Sequence, residues 1–180
     1  MNTTHAKPIQ AILDHIKQHL SLSEKDIAFQ ETPIPRLPHH MAVFSVEEKG
    51  SYGNALHRYV ICDGDLFSSV EDDSLERLLK KEDYLRKKQL TADQLVILFR
   101  LLKAGMRDTE IIRAGDLAEG GVYEKYRGKV IPPTVEESQA GVKVVFWAKH
   151  LRKSHPDQWV VTISPDYTVE YHHESLQTQQ

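Results

Sequence analysis

The chain has a single cysteine, Cys62, which excludes an internal disulfide framework. No apolar run approaches the roughly 20 residues that a membrane-spanning helix needs. A formal net charge of -3 leaves no global basic field to favour nucleic acid or an anionic lipid surface. A Gly-rich nucleotide loop, an HExxH pair, Cys/His finger spacing, a nucleophile elbow and a paired-acid signature are all missing. Met1 to Lys7 is polar and lacks the apolar core of a secretory signal. These absences lead to an expectation of a cytoplasmic protein without a cofactor or an assigned metal site, contacting neither nucleic acid nor membrane.

What is present is ordinary for a globular domain: 40% hydrophobic and 27% charged residues. At 180 residues, one domain over 1–180 is expected. The ten histidines would swing the formal charge from negative to positive on mild acidification.

The last third carries the clearest pattern. Val142 to His150, Gln158 to Ser164 and Tyr167 to His172 are rich in Val, Thr and aromatic residues, which suit a pleated, half-buried surface. Ser154-His155-Pro156-Asp157 and Pro165-Asp166 supply turn chemistry between them. Short turns force antiparallel pairing, so the segment reads as a three-stranded meander. If the second loop has an even number of residues, Trp159 faces His172, Val161 faces Glu170 and Ile163 faces Thr168 on one side of the sheet. Val160, Thr162, Val169 and Tyr171 then share the other side. A three-residue loop would void that pairing.

Upstream, Ile9, Ile12, Leu13, Ile16 and Leu20 at helical spacing predict a helix over 8–20. Strands are expected at Ile27 to Gln30, Met41 to Glu47 and Ala55 to Cys62. The last turns through Asp63-Gly64 into Asp65 to Ser69, and Lys49 to Asn54 forms a separate turn. Asp72 to Lys88 reads as a dipole-complemented helix. Thr91 and Gln94 form a capping box before an apolar helix from Ala92 to Ala104. A short helix is expected at Asp108 to Ala114, and residues 115–141 read as a long loop or lid, with a brief strand at Gly128 to Ile131.

Five kinds of site follow from the residues. A Cys62 thiol nucleophile finds no partner in His57, because strand positions five apart point to opposite faces. Glu170 and His172 share a strand face beside Trp159 and could ligate a transition metal if a third ligand arrived, His150 being the nearest by hairpin geometry; these four residues would also line a small-molecule pocket. Burial of Glu170 beside Val161 and Trp159 would suit it to proton transfer, whereas Asp63 and Asp65 read as a plain hairpin. Leu95 to Ala114 has a faint helix-turn-helix look, opposed by Asp108 and Glu110 where phosphate would sit. Trp147, Trp159 and Tyr171 could anchor a protein interface on the sheet.

The expected fold is α+β: an antiparallel sheet of five or six strands, including the C-terminal meander, packed on two or three helices. The leading functional expectation is a non-catalytic protein-interaction module, binding a protein partner or self-associating as a homodimer through a sheet face or edge strand. The alternative is a small-molecule-binding protein or enzyme with a pocket between sheet and helices using Glu170 and His172.

Overall fold

The computed structural model describes residues 6–50, 55–106, 109–150 and 155–176. The expected turns at 49–54 and 154–157 and the start of the helix expected at 108–114 fall partly on 51–54, 154 and 108, which lie outside the described residues. The fold is α+β; among the described residues the named strands pair antiparallel in two sheets of four and five strands. No helix among the described residues is long and apolar enough to cross a membrane. The chain divides into two compact units, 1–78 with 101–104, and 79–100 with 105–180.

In the first unit, helix α1 (Ala6–Leu20) precedes β1 (Ile27–Glu31), β2 (Met41–Glu48), β3 (Leu56–Cys62) and β4 (Asp65–Ser68), which pair in sequence order. The α1 stripe seen in the sequence delivers Ile12 and Ile16, both essentially inaccessible, onto Ile27, Phe44, Val46, Tyr59 and Ile61. Each such isoleucine contributes about 2 kcal/mol by leaving water. Asp63 at φ 47 and Gly64 at φ 86 occupy the left-handed conformations that a two-residue hairpin requires, so this turn is as expected. Cys62 is fully buried, and His57 contacts Glu48 at 2.9 Å.

The helix expected over 72–88 is divided into α2 (Ser74–Lys81) and α3 (Tyr84–Lys87). Asp83, at φ 52, is the left-handed residue that interrupts it. Helix α4 (Ala92–Leu102) opens on the expected capping box: the Thr91 amide donates to Gln94 Oε1 at 2.9 Å and the Gln94 amide to Thr91 Oγ1 at 3.3 Å. Its residues Leu95 to Phe99 are all buried, as an all-round apolar helix demands.

In the second unit the sheet runs β5 (Thr109–Ile111), β7 (Gly141–His150), β8 (Pro156–Ile163), β9 (Val169–Ser175), with β6 (Thr134–Ser138) also on β7. The meander expected from the sequence is therefore present. Two local expectations are corrected. The helix expected at 108–114 is strand β5, which removes the second helix that a helix-turn-helix needs. Residues 115–141 are also more than a loop. They contain β6, and the turns at Gly115–Leu117 and Glu124–Tyr126 carry Leu117, Tyr123 and Tyr126 into a core with Ile112, Val130 and Trp147. The strand expected at 128–131 is reduced to one bridge, Arg127 to Val130.

The β8–β9 register is corrected by one residue. The Tyr167 amide donates to the Ser164 carbonyl at 2.9 Å, and the Ser164 amide to the Thr168 carbonyl at 3.0 Å. Tyr167 stands at φ 70. This is a three-residue loop, a turn followed by a left-handed residue, and not an even-numbered one. Trp159 therefore faces His173, Val161 faces Tyr171 and Ile163 faces Val169. Glu170 and His172 face Thr162 and Val160 on the opposite side of the sheet.

Candidate functional site

The register decides which side chains meet. Trp159 lies on the buried face of β8, at 3% exposure, in a ring ladder that crosses three strands. Phe146 of β7 lies 6.2 Å away on one side and the His173 imidazole stacks at 4.4 Å on the other; Tyr171 is tilted against the same indole at 5.9 Å. At the end of this ladder Asp157 is buried, at 1% exposure. Its carboxyl oxygen accepts from Ser175 Oγ at 2.7 Å, and His173 Nδ1 lies 3.4 Å from the other oxygen. Ladder and anchor together fix β9 from one side.

The group expected at Glu170, His172, His150 and Trp159 does not assemble. Glu170 and His172 are exposed, and Trp159 is on the other face. His150 pairs with Thr109 at the far end of β7, about 20 Å along the strands from Glu170 at a rise of about 3.3 Å per residue. Burial of Glu170 beside Val161 and Trp159, the basis for its acid–base role, is absent for the same reason. Of the interface candidates, Trp147 is part of the core with Ile112, Tyr123 and Tyr126, whereas Tyr171 is 40% exposed.

What the structure brings together instead is one side of β9. Residues Glu170 to Ser175 are all exposed, and among the described residues β9 pairs with β8 alone. The direction of its backbone groups follows from the two ends of the hairpin. Ser164 bonds to Thr168 at one end, and the Leu176 amide donates to the Pro156 carbonyl at 3.1 Å at the other. In an antiparallel ladder such pairs alternate with non-bonded ones. Glu170, His172 and Glu174 therefore turn their amides and carbonyls toward β8, and Val169, Tyr171, His173 and Ser175 turn theirs outward. An open groove of about 630 Å³ runs here, lined by Thr162, Val169, Glu170, Tyr171 and His172. Thr162, Glu170 and His172 line it from the face that β8 and β9 share, and Val169 and Tyr171 from the other face of β9. The carboxylate-bearing residues Glu170 and Glu174 sit four apart on one face with His172 between them.

The sequence did not signal the Asp157–His173–Ser175 contact, because it depends on the register and hence on Tyr167. No family model, curated protein or solved structure matches the chain.

Proposed function

We propose that this protein is an interaction module that captures an extended segment of another protein as an added strand on β9. The observation that carries the reading is the outward row of backbone groups on Val169, Tyr171, His173 and Ser175, on a strand already held in place by Trp159 and Asp157. A pre-ordered edge avoids much of the ordering cost of association, and strand addition draws its affinity from main-chain hydrogen bonds. Specificity comes from side chains at alternate positions. Glu170 and Glu174 favour a partner with Lys or Arg at two positions four apart on one face, and Tyr171 offers an aromatic surface on the other. Pairing of two full β9 strands would set Val169 opposite Ser175 and Glu170 opposite Glu174, twice over, and like charges directly opposed are unfavourable. A second copy is therefore a poorer occupant than a basic segment.

The test is a fluorescence titration of the full chain with two extended peptides of alternating valine. One carries lysines four apart and the other glutamates in their place. Saturable binding of the basic peptide, weakened about tenfold or more by Glu170→Lys with Glu174→Lys, is the expected result. Indifference to peptide charge, or no binding of either peptide, contradicts the reading. Light scattering on the same samples reports self-association, and dimerisation through β9 would replace the basic segment by a second copy.

A further inference from the structure

We infer that His15, His19 and Glu71 form a binding site for a transition-metal ion of the zinc class, in the first unit and separate from the β9 edge. The sequence element is a pair of histidines four residues apart on α1, a spacing that places both rings on one helix face. Their rings stack at 4.2 Å with an interplanar angle of 20°. Glu71 enters from the segment after β4, and one ligand atom from each of the three residues lies within 4.8 Å of the others.

The independent observation is the state of His15. Its side chain is only 10% exposed, and its Nε2 atom is buried and has no hydrogen-bond partner among the described residues. That atom points at Glu71 Oε2 from 3.7 Å, too far for a hydrogen bond. Ligand atoms about 2.1 Å from a tetrahedral zinc lie roughly 3.4 Å from one another, close to this spacing; because the two imidazoles stack nearly parallel, the His19 ring must turn about its side-chain bonds before its nitrogen aims at the same ion. The other ring nitrogen, Nδ1, faces Tyr59 Oη at 3.5 Å, the position from which an outer partner orients a metal-binding imidazole. Glu71 is itself held, accepting from Ser74 Oγ at 3.1 Å and from the Arg77 guanidinium at 2.6 Å. Arg77 is a competing cation. Both bonds end on Oε2, the oxygen that faces His15, and use its two acceptor positions, so the ion takes Glu71 through Oε1 or displaces one of these partners.

The donor set names the ion class. Two imidazoles and one carboxylate suit Zn²⁺, Co²⁺ or Ni²⁺, whereas Mg²⁺ and Ca²⁺ prefer all-oxygen surroundings. Three protein ligands leave one coordination position open.

The experiment is calorimetric titration of the untagged, chelator-treated full chain with zinc chloride, and with magnesium chloride for comparison. One equivalent of zinc should bind and magnesium should not. His19 is exposed, so His19→Ala keeps the fold, and it should weaken zinc binding about tenfold or more. His19→Asp, which returns a ligand, should recover most of the loss, and His172→Ala should bind as the parent does. Absence of saturable zinc binding, equal binding by His19→Ala, or an equal loss in His172→Ala would each overturn the site.

Discussion

Asp157 and Ser175 face one another across β8 and β9, and the Ser175 hydroxyl donates to the buried carboxyl group at 2.7 Å. The contact closes the end of the hairpin opposite the turn, so β9 is pinned at both ends and along its middle by Trp159. Removing the hydroxyl takes one hydrogen bond from a buried carboxyl group, which keeps its His173 contact at 3.4 Å. Ser175→Ala is expected to lower unfolding free energy by about 1–3 kcal/mol in urea titration, and to weaken peptide binding at β9 in parallel. A change below about 0.5 kcal/mol would show that the contact does not hold the strand.

Gly141 begins β7 at φ 121, and a β-carbon there would run into the Ile163 carbonyl oxygen. Gly141→Ala is therefore expected to cost more than about 2 kcal/mol, since both the backbone conformation and the neighbouring strand resist it. Gly120, at φ 74 with open space around it, isolates the conformational part. Gly120→Ala should cost only about 1 kcal/mol. Equal losses in thermal melts would contradict the close approach of β7 to Ile163.

The turn that sets the β8–β9 register has a pH signature. Asp166 accepts from the Ser164 hydroxyl, and from the Thr168 amide at 3.2 Å and hydroxyl at 3.0 Å. The Ser164 bond above all, followed by those of Thr168, holds its carboxyl below the ordinary value of 3.8. A depressed folded-state pKa means that the stabilisation is fully present above the ordinary value and is lost as pH falls through the folded one. The Asp166 carboxyl carbon should titrate below 3.8 in NMR spectra and move back toward that value in Ser164→Ala. A midpoint at or above 3.8 in the parent would contradict the turn geometry.

How far the fold was legible depended on how each residue acts. Helix α1, the β2–β3–β4 hairpins, the Thr91–Gln94 box and the meander rest on periodicity and local turn chemistry, which a sequence displays directly. Strand β5 is three residues long, and β6 has one valine among Thr, Glu and Ser, so neither shows an alternating pattern. The register turned on Tyr167 adopting a left-handed conformation that bulky residues rarely take. That single residue moved Glu170 and His172 away from Trp159 and brought His173 onto it. His15 and His19 were not singled out in the sequence, although their four-residue spacing on the expected helix was a signal for them. The third member of that site, Glu71, follows the four strands and is brought near only by folding.

The central claim is that β9 receives a partner strand through the outward backbone groups of alternate residues. Amide hydrogen exchange, resolved by NMR and measured with and without the lysine-bearing peptide, tests it most directly. Glu170, His172 and Glu174 bond inward to β8, so their amides should be protected in both states. The amides of Tyr171 and His173 should exchange quickly in the free protein and slow about tenfold or more when the peptide binds. Binding that leaves Tyr171 and His173 as exchangeable as before would place the peptide elsewhere and contradict the account.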